Sequence, residues 1–294
     1  HERLVGSEMC IRDRVCGARG QIGQAVNDVV DKLEFEMLDT DVDDLDVTDT
    51  DEVLRFGEMN RPDIIINCSG MTDISSCEEN PSQAFKVNAL GARNLAIVAA
   101  KMQAKMVQLS TDDVFDGKST EPYTEFDITN PGTVYGKSKL AGENYVKEFT
   151  TKHFIVRSTW VYGKGQNFIN GFLKKVDAGE QLSIASDQFG SPTSANELAR
   201  FLLHLVHTSE YGTYHATNKG VCSRYAFAQE ILKMTGKTAS MQPVPTVMSD
   251  FSKVRPAYAV LDNFIMSMVP IYDFPDWQDS LREYLEERGL YHAE

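Results

Sequence analysis

Apolar positions along this chain follow two rhythms that take turns. Short continuous runs (Ile64-Ile65-Ile66-Asn67-Cys68, Met106-Val107-Gln108-Leu109, Phe154-Ile155-Val156) stand between longer stretches whose apolar residues recur every three or four positions. A continuous run marks a strand buried on both faces, and the longer spacing marks one face of a helix. Phe35-Glu36-Met37-Leu38 adds a strand. Residues 81–104 read as one long helix carrying Ala84, Phe85, Val87, Leu90, Leu95, Val98 and Ala99. Another helix opens at Tyr135 and continues through Leu140, Ala141, Tyr145, Val146 and Phe149. Strands alternating with helices predict an α/β fold, a doubly wound parallel sheet with helices on both faces and right-handed connections. Ligands of such sheets bind at the carboxyl ends of the strands.

The rhythm changes after residue 160. Helices are expected over Asn167–Ala178, from Ala195 to about His207 and over Ser223–Thr235, with a terminal helix marked by Trp277, Leu281, Tyr284 and Leu285. Tyr214-His215-Ala216 reads as a short strand, Gln188–Thr193 as a loop and 241–256, with its prolines, as irregular. The first strand is the exception at the other end. Ile11-Arg12-Asp13-Arg14-Val15-Cys16 precedes a glycine-rich turn where a buried strand belongs, and three charges there are costly. Residues 1–14 are therefore expected to be partly foreign to the rest of the chain.

Composition narrows the class. A formal charge of −14 over 294 residues disfavours nucleic acid as a partner. No apolar run approaches the ~20 residues of a membrane span, so no membrane partner is expected. Five cysteines without CxxC spacing read as reduced thiols, and a cytoplasmic location is expected. The six histidines form no metal-like cluster.

The polar residues at the strand ends carry the chemistry. Gly17-Ala18-Arg19-Gly20-Gln21-Ile22-Gly23 has glycines spaced for a tight turn into a helix N-terminus, where backbone N–H groups favour a pyrophosphate. An ordinary strand–helix turn has the same composition. Asp41, at the end of the second strand, stands where an acid holds adenosine ribose hydroxyls. The aspartate-rich run 39–51 is expected to be a solvated loop. It starts like a calcium loop but has Asp44 and Thr50 where that loop needs Gly and Glu.

Tyr135 and Lys139 are one helical turn apart and share a face. An ammonium beside a phenol lowers its pKa from about 10, which suits it to proton transfer. Thr111, at the tip of the Met106 strand, supplies a hydroxyl for a carbonyl oxygen. Such a pair also fits an exposed helix start. Trp160 is either a core residue or a flat wall against a sugar. Arg157 is either a buried structural cation or a phosphate contact.

Together these stretches resemble the extended short-chain dehydrogenases, which have Rossmann-type folds, and within them the dTDP-4-dehydrorhamnose reductases. The resemblance runs from about Gly17 to Glu287. It is carried by GxxGQIG at 17–23, LDVTD at 45–49, PDIIINCSGMT at 62–72, VNALGARNLA at 87–96, STDDVFDG at 110–117, NPxxVYGKSKLAGE at 130–143, VRSTWVYG at 156–163, DQFGSPT at 187–193 and RPAYAVLD at 255–262. It implies an NAD(P)-binding domain over residues 1–160. Residues 161–294 are then mostly a substrate lobe, with about 212–236 returning to the first domain.

The resemblance also implies roles. NADPH or NADH lies on Gly17, Gly20, Gln21, Ile22 and Gly23, with Asp41, Asp46 and Val47 around the adenosine. Gly70, Met71, Thr72, Tyr135 and Lys139 lie toward the nicotinamide ribose. Thr111, Asp112 and Trp160 contact a dTDP-sugar, and Thr111, Tyr135 and Lys139 are catalytic. The implied reaction is reduction of the sugar C4 ketone. A Mg2+ ion is allowed for, without a ligand set, and the assembly is expected to be a monomer or homodimer. Met71, Asp113 and residues 73–76 depart from the family pattern. A sugar-nucleotide dehydratase or epimerase of the same fold, and a non-catalytic regulatory subunit, are the competing expectations.

Overall fold

The computed structural model describes residues 11–30, 35–248 and 256–292. The first lobe runs β1 (Ile11–Cys16), α1 (Gln21–Val29), β2 (Phe35–Thr40), α2 (Thr50–Asn60), β3 (Ile64–Asn67), α3 (Ile74–Glu79), α4 (Pro81–Phe85), α5 (Ala92–Met102), β4 (Lys105–Thr111), α6 (Val134–Phe149) and β5 (His153–Ser158). The remainder runs β6 (Val161–Tyr162), α7 (Phe168–Asp177), β7 (Leu182–Ala185), β8 (Phe189–Gly190), β9 (Thr193–Ser194), α8 (Ala195–Val206), β10 (Gly212–His215), β11 (Cys222–Ser223), α9 (Arg224–Thr235), β12 (Met241–Val244), β13 (Tyr258–Ala259), α10 (Phe264–Met268) and α11 (Trp277–Glu287).

Among the described residues the main sheet has the order β10-β5-β4-β3-β1-β2, with every pair parallel. The chain leaves β1 for β2 on one side and then crosses to β3 on the other. That reversal opens a crevice above the carboxyl ends of β1 and β3. Residues 1–10 lie outside the described residues. Ile11–Cys16, despite its charges, pairs in register between β2 and β3.

Alternation within each strand sorts side chains onto two helix layers. Ile64, Ile66, Val107, Leu109, Phe154 and Val156 pack with α1 and α8, while Ile65, Met106 and Ile155 pack with α2, α5 and α6. Each fully buried aliphatic side chain contributes about 1.5–3 kcal/mol. The smaller lobe has its own core, with Phe172 and Leu173 of α7, Ile184 of β7, Phe227 and Ile231 of α9, and Leu281 and Leu285 of α11. β10 closes the edge of the main sheet, whereas α9 packs in the smaller lobe.

Three local expectations are corrected. The helix expected over 81–104 is α4 and α5 joined by a wider π-helical turn, Lys86–Gly91. That turn buries Asn88, whose amide is needed elsewhere, and seats Gly91 against Val47. The aspartate run is not all loop. The Asp49 carboxylate caps α2 by accepting from the Glu52 N–H at 2.9 Å. Part of 241–256 is a strand, because β12 pairs in parallel with β7 in a two-stranded ladder where Pro243 is tolerated at an edge.

Candidate active site

α6 begins where it does because Thr133 caps it, its hydroxyl accepting from the Gly136 N–H at 2.9 Å. Tyr135 and Lys139 then lie in the first two turns, both buried. Gly136 keeps the helix close to the tip of β4, since a Cβ there would stand 2.0 Å from the Asp113 carbonyl oxygen. That close approach brings Tyr135 and Lys139 to the same cavity wall as Thr111 and Asp112.

The cavity has a volume of about 430 Å³. Gly20, Gln21 and Ile22 line it below, with Ser69, Gly70 and Thr72 at the end of β3. Thr111 and Asp112 follow at the end of β4, then Tyr135 and Lys139 on α6. Thr159 and Trp160 after β5, and Gln166, Phe168, Arg224 and Phe227 from the smaller lobe, complete it. Ten residues singled out in the sequence thus converge: Gly20, Gln21, Ile22, Gly70, Thr72, Thr111, Asp112, Tyr135, Lys139 and Trp160. Six others are not among the described lining residues: Gly17, Gly23, Asp41, Asp46, Val47 and Met71.

Each of those six has an identifiable place. Gly17 (φ +75°) and Gly23 shape the turn, because a Cβ would stand 2.7 Å from the Ser69 nitrogen or 2.3 Å from the Gly17 oxygen. Asp41 lines a neighbouring cavity of about 280 Å³ with Ala18, Arg19, Gln24 and Asn27, and accepts from the Arg19 backbone N–H at 3.0 Å. The Asp46 carboxylate accepts from the Thr48 hydroxyl and backbone N–H, which lowers its pKa. Val47 is buried, and its carbonyl accepts from Asn94. Met71 packs beside Ile74, Cys77 and Tyr135.

The charges around Lys139 are arranged through α6. Burial depresses its pKa from 10.5 to about 8, with Glu143 and then Cys68 opposing the shift. Glu143 lies one turn further along, fully enclosed. Burial raises its pKa, but Arg157, Ser110 and Lys147 outweigh that and leave the carboxylate ionised below its ordinary range. Arg157 grips it with two bonds, Nε to Oε1 at 2.8 Å and Nη2 to Oε2 at 2.7 Å, and the Ser110 hydroxyl donates to Oε1 at 2.6 Å. Arg157 is therefore a buried structural cation, and losing one member of such a pair costs about 3–5 kcal/mol.

Asn88 was not singled out by sequence reasoning. Its Oδ1 accepts from the Met71 N–H at 2.8 Å, while Nδ2 donates to the Met71 carbonyl and the Ser138 hydroxyl. It fastens the loop after β3 to α6. A polar residue in a helical apolar pattern was the available signal. Gln166, Phe168, Arg224 and Phe227 were missed because they become neighbours of the site only in the folded chain, whereas Glu143, one helical turn after Lys139, carried a local signal that was passed over.

Trp160 resolves into both of its readings. Its ring lines the cavity and packs partly against the smaller lobe's core. Its φ of +46° is costly for a bulky side chain, about 1–3 kcal/mol, and such strain clusters at functional sites. Gly190 accommodates the ring, since a Cβ there would stand 2.5 Å from it.

The cradle fits a dinucleotide. α1 opens at Gln21 with no side chain capping its N-terminus, and Gly20, Gln21 and Ile22 face the cavity. Three buried oxygens on lining residues, Gln21 Oε1, Thr159 Oγ1 and the Tyr162 hydroxyl, have no hydrogen-bond partner within the chain, as expected where a bound polar group completes such atoms. Among the described residues no group of three or more His, Cys, Asp or Glu could hold a metal ion, and no helix is long and apolar enough to cross a membrane.

Known proteins share this fold. The chain is 35% identical over 276 residues to the spore coat polysaccharide biosynthesis protein SpsK of Bacillus subtilis, covering 94% of this chain and 97% of that one. It is similar to the crystal structure of a dTDP-4-dehydrorhamnose reductase from Clostridium acetobutylicum, with 39% identity and a TM-score of 0.92 over 95% and 100% of the two chains. It is also similar to a dTDP-4-dehydrorhamnose reductase from Bacillus anthracis solved with NADP, with 36% identity and a TM-score of 0.91 over 95% and 99%. The profile described as RmlD substrate binding domain matches residues 14–289, and the chain belongs to that family.

Proposed function

We propose that this chain reduces the C4 ketone of dTDP-4-dehydro-L-rhamnose to dTDP-L-rhamnose with NADPH or NADH. The observation that carries the reading is the convergence of Thr111, Tyr135 and Lys139 on one cavity whose floor is the uncapped N-terminus of α1. Its relatives' activity and the NADP of the Bacillus anthracis structure support the same reading.

When bound, the dihydronicotinamide supplies a hydride to the C4 carbon. The protein's residues handle the oxygen. Tyr135 gives its phenolic proton to that oxygen as charge develops, leaving an alcohol and a phenolate that is reprotonated from solvent. Lys139, one turn away on the same face, keeps a positive charge beside that phenolate. Thr111 now donates to Asp112 Oδ1 at 3.1 Å. Turned to the ketone oxygen, the hydroxyl strengthens its bond as the oxygen becomes negative. Gly20, Gln21 and Ile22 hold the dinucleotide pyrophosphate. Gly70, which a Cβ would put 3.7 Å from Lys139 Nζ, leaves room for its ribose.

Asp112 lines the cavity, and Asp113 is not among the described residues that do. That arrangement favours a reductase over a dehydratase, which would need the neighbouring carboxylate at the substrate as its base. The test is NAD(P)H oxidation with dTDP-4-dehydrorhamnose, with mass spectrometry of the product. Cofactor consumption and a product two mass units heavier are expected. Loss of water from dTDP-glucose without added cofactor would overturn the reductase reading, and no turnover of either sugar would favour a regulatory subunit.

A further inference from the structure

Among the described residues, the charged ones lining the central cavity are Asp112, Lys139 and Arg224. Lys139 sits deep, beside Tyr135 and Gly70. Arg224 enters from the other lobe, where its guanidinium lies 3.5 Å from the centre of the Trp160 ring and 4.7 Å from that of Phe168. A guanidinium stacked by its face bonds through its edge, in the fork geometry that matches phosphate oxygens. Arg224 is also the first residue of α9, so the positive end of that helix dipole lies at the same corner. Its position is fixed from two sides, by the aromatic stack and by its backbone N–H, which donates to the Gln188 carbonyl at 2.9 Å.

We propose that Arg224 binds the diphosphate of the nucleotide-sugar substrate, with Trp160 and Phe168 holding its plane; the inference rests on the reductase reading above. Charge and shape both lead there. A nucleoside diphosphate sugar brings an anion into the cavity, and of the two lining cations Lys139 serves the phenol of Tyr135. The anion then falls to Arg224, at the mouth contributed by the smaller lobe, and the sugar extends from it along Trp160 toward Thr111 and Tyr135. Arg224 thereby distinguishes a nucleotide-linked sugar from a free one.

The experiment is calorimetric titration of dTDP and of thymidine into the NADP-loaded protein, for wild type, Arg224→Met and Arg224→Lys. Methionine keeps an apolar stem on the Trp160 ring while removing the fork. Loss of a charge-assisted contact is expected to weaken dTDP by about thirtyfold in Arg224→Met. Thymidine, which carries no phosphate, should change by less than about twofold, and the KM for the sugar nucleotide should rise by more than kcat falls. Arg224→Lys keeps the charge without the fork and should lose about fivefold, so it serves as the test if the methionine variant does not fold. NADP affinity should be unaltered in both. Wild-type dTDP affinity in both variants, or an equal loss for thymidine, would overturn the inference alone. A wild-type protein that does not bind dTDP would overturn it together with the assigned substrate class.

Discussion

The two walls of the cavity are built in different ways. The wall carrying Gly20–Ile22, Ser69–Thr72, Thr111, Asp112, Tyr135 and Lys139 is the rim of one continuous parallel sheet. Each residue on it stands at or just beyond a strand end or in the opening turns of a helix, so its place is set by the element it terminates. The opposite wall of Trp160, Gln166, Phe168, Arg224 and Phe227 comes from the segments on either side of β6 and from the first turns of α7 and α9, elements drawn from distant parts of the chain. In the proposed function the first wall holds the groups that move protons. The second holds an aromatic and cationic surface suited to recognition. On that reading chemistry and specificity lie on different elements of the fold, and substitutions should separate them.

The sharpest test of that division is Tyr135→Phe. The ring remains packed while the transferable proton is gone, so turnover should fall by about 10²–10⁴-fold with dinucleotide affinity preserved. Steady-state kinetics and a cofactor titration measure both, and turnover near wild type would remove Tyr135 from the chemistry.

The second effect is one of pH. Because burial holds the Lys139 pKa at about 8, loss of its proton should lower activity about tenfold per pH unit above that value. Stability responds with the opposite sign. The unfolded chain keeps this proton up to 10.5, so between about 8 and 10.5 the unfolded state binds more protons and this group's contribution makes folding more favourable as pH rises. Activity and urea midpoints measured over that window should diverge. Parallel losses would mean that the enzyme simply unfolds.

A smaller effect should appear where the walls touch. Gln21 Nε2 donates to the Gln166 carbonyl at 2.9 Å, joining the glycine turn to the loop before α7. Gln21→Ala removes one neutral hydrogen bond, so the substrate KM should rise by up to about tenfold. It should rise in the presence of cofactor with little change in the folded state's melting temperature. An unchanged KM would show that the walls bind independently.

The smallest effect concerns cofactor choice. Arg19 lines the smaller neighbouring cavity beside Asp41, where its Nη1 donates to Asp43 at 2.6 Å and its Nη2 lies 3.8 Å from Asp44 in exposed pairs. Asp43→Asn removes the nearer of these two carboxylates and should shift preference toward NADPH by about threefold, less at high salt. The ratio of kcat/KM for NADPH and NADH checks it, and a shift toward NADH would show that Arg19 faces away from the 2′-phosphate.

Much of this molecule is legible without coordinates. Ile64-Ile65-Ile66 and Phe154-Ile155-Val156 declare doubly buried strands, and their alternate side chains do enter opposite helix layers. Gly17–Gly23, Thr111, Tyr135 and Lys139 could be found because a turn, a strand tip and one helical turn are local geometries encoded by neighbouring residues. The π-helical turn at Lys86–Gly91 could not be found in this way. Its pattern is compatible with an ordinary helix, and the Asn88 bonds to Met71 and Ser138 span the fold. Arg157 was ambiguous in sequence for the same reason, since only packing brings Glu143 against it. Tertiary structure alone decided that Asp112 lines the cavity where Asp113 is not among its described walls, and that Arg224 is laid on Trp160. Periodicity and turn chemistry act over a few residues and are written along the chain. Which distant side chains share a cavity depends on how the lobes close, a property of the sum of many long-range contacts and of no single stretch.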